Sequence, residues 1–181
     1  MTPHRILRPF IPPMPHDKEK NIVVRQAGLC DLSLLSETAA AINRQHFPAI
    51  LGAEAVEEII REYLSPEGFR QWMEEGIVFH LVLVDGETAG YCAHKLEDDC
   101  FMIEKFYLKE QYRGLGLGSR MMEHMLAYRE GRNIIRLTVN QGSKTAQQVY
   151  AHMGFRQVDT ILSENGPAWT LYLLEKNLEE E

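Results

Sequence analysis

Cysteine is scarce in this chain of 181 residues: Cys30, Cys92 and Cys100 make an odd count, and none belongs to a Cys-x-x-Cys pair. That argues against a disulfide framework or a zinc ribbon and for free thiols in a reducing, cytoplasmic setting. The seven histidines are scattered and no His-Glu-x-x-His occurs, so no metal centre is expected. No run of ~18 apolar residues is present, so no membrane-spanning helix is expected. Positive charge is in deficit, with 19 Lys plus Arg against 26 Asp plus Glu and a formal charge of −7. A nonspecific nucleic-acid binder is usually basic, so nucleic acid is disfavoured as a partner, whereas a cationic substrate is favoured by the mean field. Hydrophobic residues make up 45% of the chain, enough at this length for one core without disulfides or a structural metal.

Residues 1–20 read as a Pro-rich leader. Its Pro9, Pro12, Pro13 and Pro15 exclude helix, and it has no apolar stretch of the signal-peptide kind. Residues 21–178 read as a single domain. Ile22, Val23 and Val24 mark a first strand, from Asn21 to Gln26. Asp31 is placed to cap a helix over Leu32–Gln45, whose Leu32, Leu35, Ala39 and Ile42 share a face. Pro48 interrupts, and helices follow over Glu54–Leu64 and Pro66–Glu75. Strands are predicted at Ile77–Val84, Glu87–Lys95 and Cys100–Leu108, with Asp85-Gly86 as the first hairpin turn. The period then changes. Leu117, Met121, Met125 and Tyr128 predict a helix from near Gly116 to before Gly131, and Ile134–Val139 is a strand. A strand–helix–strand order implies a right-handed crossover and a parallel pair. A helix over Lys144–Met153, stopped by Gly154, and late strands at Phe155–Val158 and Ala168–Leu174 complete the reading. The sum is an α/β domain around a mixed sheet.

The chemistry is concentrated in Arg113-Gly114-Leu115-Gly116-Leu117-Gly118-Ser119, between a predicted strand and a predicted helix. Glycines there let the chain turn tightly and let ligand oxygens reach the amides, and the helix N-terminus supplies unpaired N–H groups and a positive dipole end. Two phosphate loops are excluded. A Walker A loop needs Gly-Lys-Ser/Thr where this chain has Gly118-Ser119-Arg120, and the dinucleotide fingerprint needs glycines where it has Ser119 or Met121. What remains is Arg-x-x-Gly-x-Gly: Arg113, Gly116 and Gly118. A second stretch, from Thr138 to Phe155, again enters a helix from a strand end and places Ala146, Tyr150 and Met153 on one face.

The two stretches together resemble motifs A and B of the GNAT superfamily of N-acetyltransferases. Arg113, Gly116 and Gly118 match the first motif, and Ala146, Tyr150, Gly154 and Phe155 the second. The resemblance runs over about 22–176. It implies a GNAT-like, mostly antiparallel sheet of about six to seven strands with a parallel βαβ crossover, flanked by helices, that holds acetyl-coenzyme A between its fourth and fifth strands. Carried over by position, Phe106, Tyr107 and Leu108 line the pantetheine arm with backbone groups. The amides of Arg113, Gly114, Leu115, Gly116, Leu117, Gly118 and Ser119 receive the pyrophosphate. Ser143 stands where many members have Asn, and Asn140 is an alternative polar contact. Lys144 is within reach of a phosphate.

The implied reaction is direct attack of a neutral primary amine on the thioester. Tyr150 protonates the leaving thiolate and a β-strand amide stabilises the oxyanion. Glu104, inside an otherwise apolar strand, is the candidate base or water-holder, with His80 and His94 as weaker candidates. No Ser-His-Asp set or Cys-His pair is evident. The acceptor is shaped by the first helices and the late strands. Glu54, Glu57, Glu58, Glu62, Glu67, Glu74 and Glu75 form either a solvated face or an acidic mouth for a cationic amine. Phe47, Tyr63, Trp72 and Trp169 are candidate pocket walls. The layout is similar to that of small polyamine acetyltransferases. It is equally compatible with acetylation of peptide or ribosomal-protein N-termini and of antibiotics, and with a non-catalytic acetyl-coenzyme A sensor. A homodimer is left open.

Overall fold

The structure is a computed structural model that describes residues 20–164 and 166–180. The leader expected over 1–20 lies outside the described residues, except for Lys20. The strands are β1 (Ile22–Gln26), β2 (Val78–Val84), β3 (Glu87–Leu96), β4 (Phe101–Leu108), β5 (Ile134–Asn140), β6 (Arg156–Ile161) and β7 (Leu171–Asn177). The helices are α1 (Leu32–His46), α2 (Pro48–Leu51), α3 (Ala53–Tyr63), α4 (Pro66–Glu74), α5 (Leu117–Leu126) and α6 (Lys144–His152). The strands form one sheet in the order β1-β2-β3-β4-β5-β7-β6. Every pair is antiparallel except β4–β5, the crossover bridged by α5. Among the described residues, no helix is long and apolar enough to cross a membrane.

Each face of the sheet carries its own core. On one face Val82, Cys92, Phe101, Ile103, Ile135, Leu137 and Val139 meet Leu117, Met121 and Met125 of α5, together with Tyr150 and Phe155. On the other, Phe79, Leu81, Tyr91 and Ala93 meet Leu35, Ala39 and Ile42 of α1 and Phe69 of α4. Phe69 is fully buried, with ring centroids 5.4 Å from Trp72, 5.1 Å from Phe79 and 6.1 Å from Tyr91.

Three expectations shift. Asp31 precedes α1 as foreseen but does not cap that helix with its side chain. Its carboxylate instead accepts bonds from Arg25 at 2.7 and 2.9 Å and from the Gly28 amide at 2.9 Å. The Arg25 bond above all holds its pKa down at about 2. Pro48 does more than interrupt: it opens α2, where its missing N–H is harmless. The late strands run several residues beyond their predicted ends. β6 is an edge strand exposed along its whole length, so no apolar periodicity marks its limits.

The feature that positions the site is a bulge in β4. Ala93 pairs with Lys105 and His94 with Ile103, leaving Glu104 as the extra residue. The bulge changes which side chains face which core. Phe101 and Ile103 before it, and Phe106 and Leu108 after it, share the α5 face, while Tyr107 packs on the α1 face. Pairing between β4 and β5 covers only Phe101–Ile103 against Ile135–Leu137. From Glu104 onward the two parallel strands part, and the sheet has a gap in its middle.

Candidate active site

The candidate anion end of the site is the turn into α5. Gly114 and Gly116 sit at φ 73° and 71°, a region that side chains with a Cβ rarely adopt. Gly116 is the N-cap residue, and no side chain caps the helix. A Cβ at either glycine would meet nothing within 4 Å, so the space before the helix is open. Arg113 does not add its own amide to this cradle, because that N–H donates to Glu110 O at 3.1 Å. The unspent amides therefore start at Gly114 and continue through Leu115, Gly116, Leu117, Gly118 and Ser119, while the Leu117 side chain is buried as the helix's anchor. Bare amides at the positive end of a helix dipole fit a pyrophosphate.

The Arg113 guanidinium turns back toward α1. It closes on the His46 imidazole, with Nη2 2.9 Å from Nδ1. His46 Nε2 lies 3.3 Å from Leu108 O. Arg113 Nη2 also stands against Nε2, so the guanidinium meets both ring nitrogens of His46. Burial first, and then the Arg113 charge, lower the His46 pKa against the opposing pull of the Leu108 bond, so the ring is neutral. His46 thus pins the end of α1 to the end of β4, a link that no spacing in the sequence announces.

Between these ends lies the gap. The Tyr107 carbonyl is aimed at β3, where a Cβ on Gly90 would stand 2.2 Å from its oxygen; only glycine fits there. Successive residues of a strand direct their N–H and C=O groups to opposite edges. Phe106 and Leu108 therefore turn theirs away from β3; the Leu108 carbonyl is taken by His46, so of the three residues named for the pantetheine, Phe106 and the Leu108 N–H present backbone groups to the gap and Tyr107 does not. Tyr150 reaches the gap from α6 and is 8% exposed. Its ring centroid is 6.2 Å from that of Phe106 and 5.9 Å from that of Phe155. Burial, and secondarily the nearby Tyr107 phenol, raise the Tyr150 pKa, so the hydroxyl keeps its proton.

The other expected residues divide. Ser143, half-buried before α6, makes no side-chain cap bond and has a hydroxyl to offer. Asn140 does not face the coenzyme side: its Oδ1 accepts from Gly142 N at 2.7 Å and its Nδ2 donates to Ala168 O at 2.7 Å, tying the β5–α6 turn to the loop before β7. Lys144 is exposed. Glu104 stands half-buried at the bulge where the gap begins.

His80 and His94 are excluded as bases by position. They are 0% and 2% exposed and form a chain in which His124 Nε2 lies 3.0 Å from His80 Nδ1 and His80 Nε2 lies 3.2 Å from His94 Nδ1. Burial drives their pKa values down to about 3 and about 4. They belong to the core under α5. The seven glutamates from Glu54 to Glu75 are all exposed, and Glu57 is held bidentate by Arg44 at 2.7 and 2.8 Å, so they form a solvated face. Of the aromatic candidates, Phe47 stands edge-on to Tyr107 at 6.1 Å and Trp72 stacks on Phe79 at 6.2 Å, whereas Tyr63 is exposed. Among the described residues, no group of three His, Cys, Asp or Glu is placed to hold a metal.

Residues 48–176 match the family described as "Acetyltransferase (GNAT) domain". No curated protein sequence matches the chain. Solved structures do. The paiA N-acetyltransferase from Thermoplasma acidophilum, in complex with coenzyme A, superimposes with a TM-score of 0.75 at 23% identity, covering 87% of this chain and 99% of its own. The ribosomal-protein-alanine N-acetyltransferase from Brucella melitensis gives 0.65 at 16% identity, with 86% and 99% covered. Arabidopsis thaliana Naa50, in complex with the bisubstrate analogue CoA-Ac-MVNAL, gives 0.59 at 21%, with 86% and 98% covered. At these identities the structures speak for the fold, and the family match spans well over half of the chain: it belongs to the GNAT acetyltransferase family.

Proposed function

We propose that the protein is an acetyl-coenzyme A-dependent N-acetyltransferase that acts on a primary amine by direct attack. The observation that carries this reading is the parting of β4 and β5 at Glu104, with the Tyr150 ring against Phe106 of β4 and a bare helix N-terminus at the start of α5. The coenzyme supplies an activated acetyl thioester. The amides of Gly114–Ser119 hold its pyrophosphate, and the gap-facing groups of Phe106 and Leu108, with the Ser143 hydroxyl, orient its arm. An N–H of β4 turned into the gap stabilises charge that develops on the carbonyl oxygen. Tyr150, protonated at every working pH, donates to the departing sulfur. The amine has an ordinary pKa of about 10 and must lose a proton before it attacks. In this reading Glu104, the bulge residue where β4 and β5 part, takes it, directly or through water.

A peptide α-amine is the second reading, favoured by the likeness to the enzyme bound to a coenzyme–peptide analogue. The free cysteines and the coenzyme both suit a cytoplasmic setting.

Thermal unfolding with acetyl-coenzyme A, beside ATP and NAD, tests the cofactor. Ligand at about 100 times Kd stabilises by about 2.7 kcal/mol. For a domain of this size that is a rise of roughly 5–11 °C. A rise with acetyl-coenzyme A alone supports the reading; a rise with ATP or NAD and none with acetyl-coenzyme A overturns it.

A further inference from the structure

We propose that Lys105 sets the acceptor class: the amine acetylated carries a carboxylate or similar anion near its amino group, and polycationic amines are disfavoured. This rests on the acetyltransferase reading above and narrows its substrate.

Lys105 is the first paired residue of β4 after the bulge, opposite Ala93, which in turn pairs with Phe79. That row lies on the α1–α4 face, and the Lys105 Nζ sits 4.9 Å from the centre of the Trp72 ring. The side chain is half-buried. Burial lowers its pKa and the Glu104 carboxylate partly opposes this, yet among the described residues no carboxylate lies within salt-bridge distance of it. The neighbouring cation on this face, Arg136, is by contrast satisfied by Asp99 and Glu175 at 2.8 Å each. An ammonium taken partly out of water, with an indole face against it and the Glu104 carboxylate beyond salt-bridge distance, is under-compensated.

The route of the acceptor places it beside this charge. On the α5 face, the side proposed for the coenzyme, Phe106 meets Tyr150, and a Cβ on Gly118 would stand 3.5 Å from Met153 Cε and 3.9 Å from Phe106. An amine reaches the thioester from the opposite face, past Lys105, Tyr107 and Phe47. The acid of α3 and α4 lies on the outer side of those helices and offers no counter-charge at this point. A second ammonium on the acceptor meets Lys105 as a like charge, and a carboxylate meets it as the missing partner.

The test uses amines matched in length: 5-aminopentanoate, pentylamine and 1,5-diaminopentane, with glycylglycine against glycylglycinamide as a peptide pair. Coenzyme A release is followed for the wild type, Lys105→Met and Lys105→Glu. Lys105→Met keeps the aliphatic stem on Trp72, so both its fold and its acetyl-coenzyme A-induced rise in melting temperature are retained. The wild type is expected to favour the carboxylate-bearing member of each set. Lys105→Met lowers kcat/KM for that member about 10- to 100-fold, through KM, and leaves pentylamine unchanged. Lys105→Glu moves the preference to 1,5-diaminopentane. A wild type that prefers the diamine, an order that neither variant alters, or a protein stabilised by acetyl-coenzyme A that turns over none of these amines overturns the inference. A protein that acetyl-coenzyme A does not stabilise overturns the acetyltransferase reading first, and this inference with it.

Discussion

The two faces of the sheet assemble their functional groups in different ways. On the α5–α6 face the groups are contiguous in the chain: Gly114 to Ser119 in one turn, then Ser143 and Tyr150 at either end of one short helix. On the α1–α4 face they come from separate elements: His46 and Phe47 at the end of α1, Trp72 from α4, and Lys105 and Tyr107 from β4. The difference follows from what each face is proposed to recognise. Backbone amides at a helix N-terminus bind a pyrophosphate and are neighbours by construction. An acceptor amine is selected by side chains, and these meet only through strand register and helix packing.

The comparison can be broken first at Tyr150. If it is the proton donor on the coenzyme face, Tyr150→Phe lowers kcat about 10²- to 10⁴-fold and leaves the Kd of acetyl-coenzyme A nearly unchanged. Rapid-quench turnover beside equilibrium titration reads both, and undiminished turnover removes Tyr150 from the chemistry. A next, somewhat smaller effect belongs to the other face. Phe69→Ala opens a cavity among Trp72, Phe79 and Tyr91 and should cost about 3–5 kcal/mol of stability in urea titrations. The rise in melting temperature with acetyl-coenzyme A should persist, and its loss would show that the two faces are not separable in function.

The smallest effect is one of pH on the α5 face. His80 and His94, with His124 and the Tyr128 ring against them, are buried as neutral rings with pKa values of about 3 and about 4. In the unfolded chain each takes a proton near pH 6.5. The unfolded state therefore binds more protons below that pH, and stability falls as pH falls from 6.5 toward the folded-state values. The loss is about 1.4 kcal/mol per pH unit for each ring, or about 2 kcal/mol at pH 5. The Asp31 carboxylate, at about 2, enters only below its ordinary value near 3.8, so the two contributions are separated on the pH axis. Melting temperatures at pH 7, 6 and 5 that do not decline would show that the trio is hydrated or charged in the folded state.

Much of the molecule was legible before its structure. The meander from Ile77 to Leu108, the crossover helix with Leu117, Met121 and Met125 inward, and the helix carrying Tyr150 all follow from period and turn chemistry. These elements obey local rules: alternation in a half-buried strand, a repeat of three or four in a helix, glycine where φ is positive. The assignments that moved were those decided by partners. Asn140 has the right chemistry for a ligand contact but spends it on Gly142 and Ala168. The glutamates of α3 and α4 have a helical spacing that fits a cluster, and it proved to be the spacing of an outer face.

What the amino-acid sequence determined by itself is the fold type and the glycine turn that leaves the α5 N-terminus uncapped, because both rest on neighbours in the chain. Tertiary structure alone decided the single-residue bulge at Glu104, and with it the parting of β4 from β5 and the face on which Lys105 stands. A bulge is a disagreement in register between two strands, and no strand carries that information without its partner.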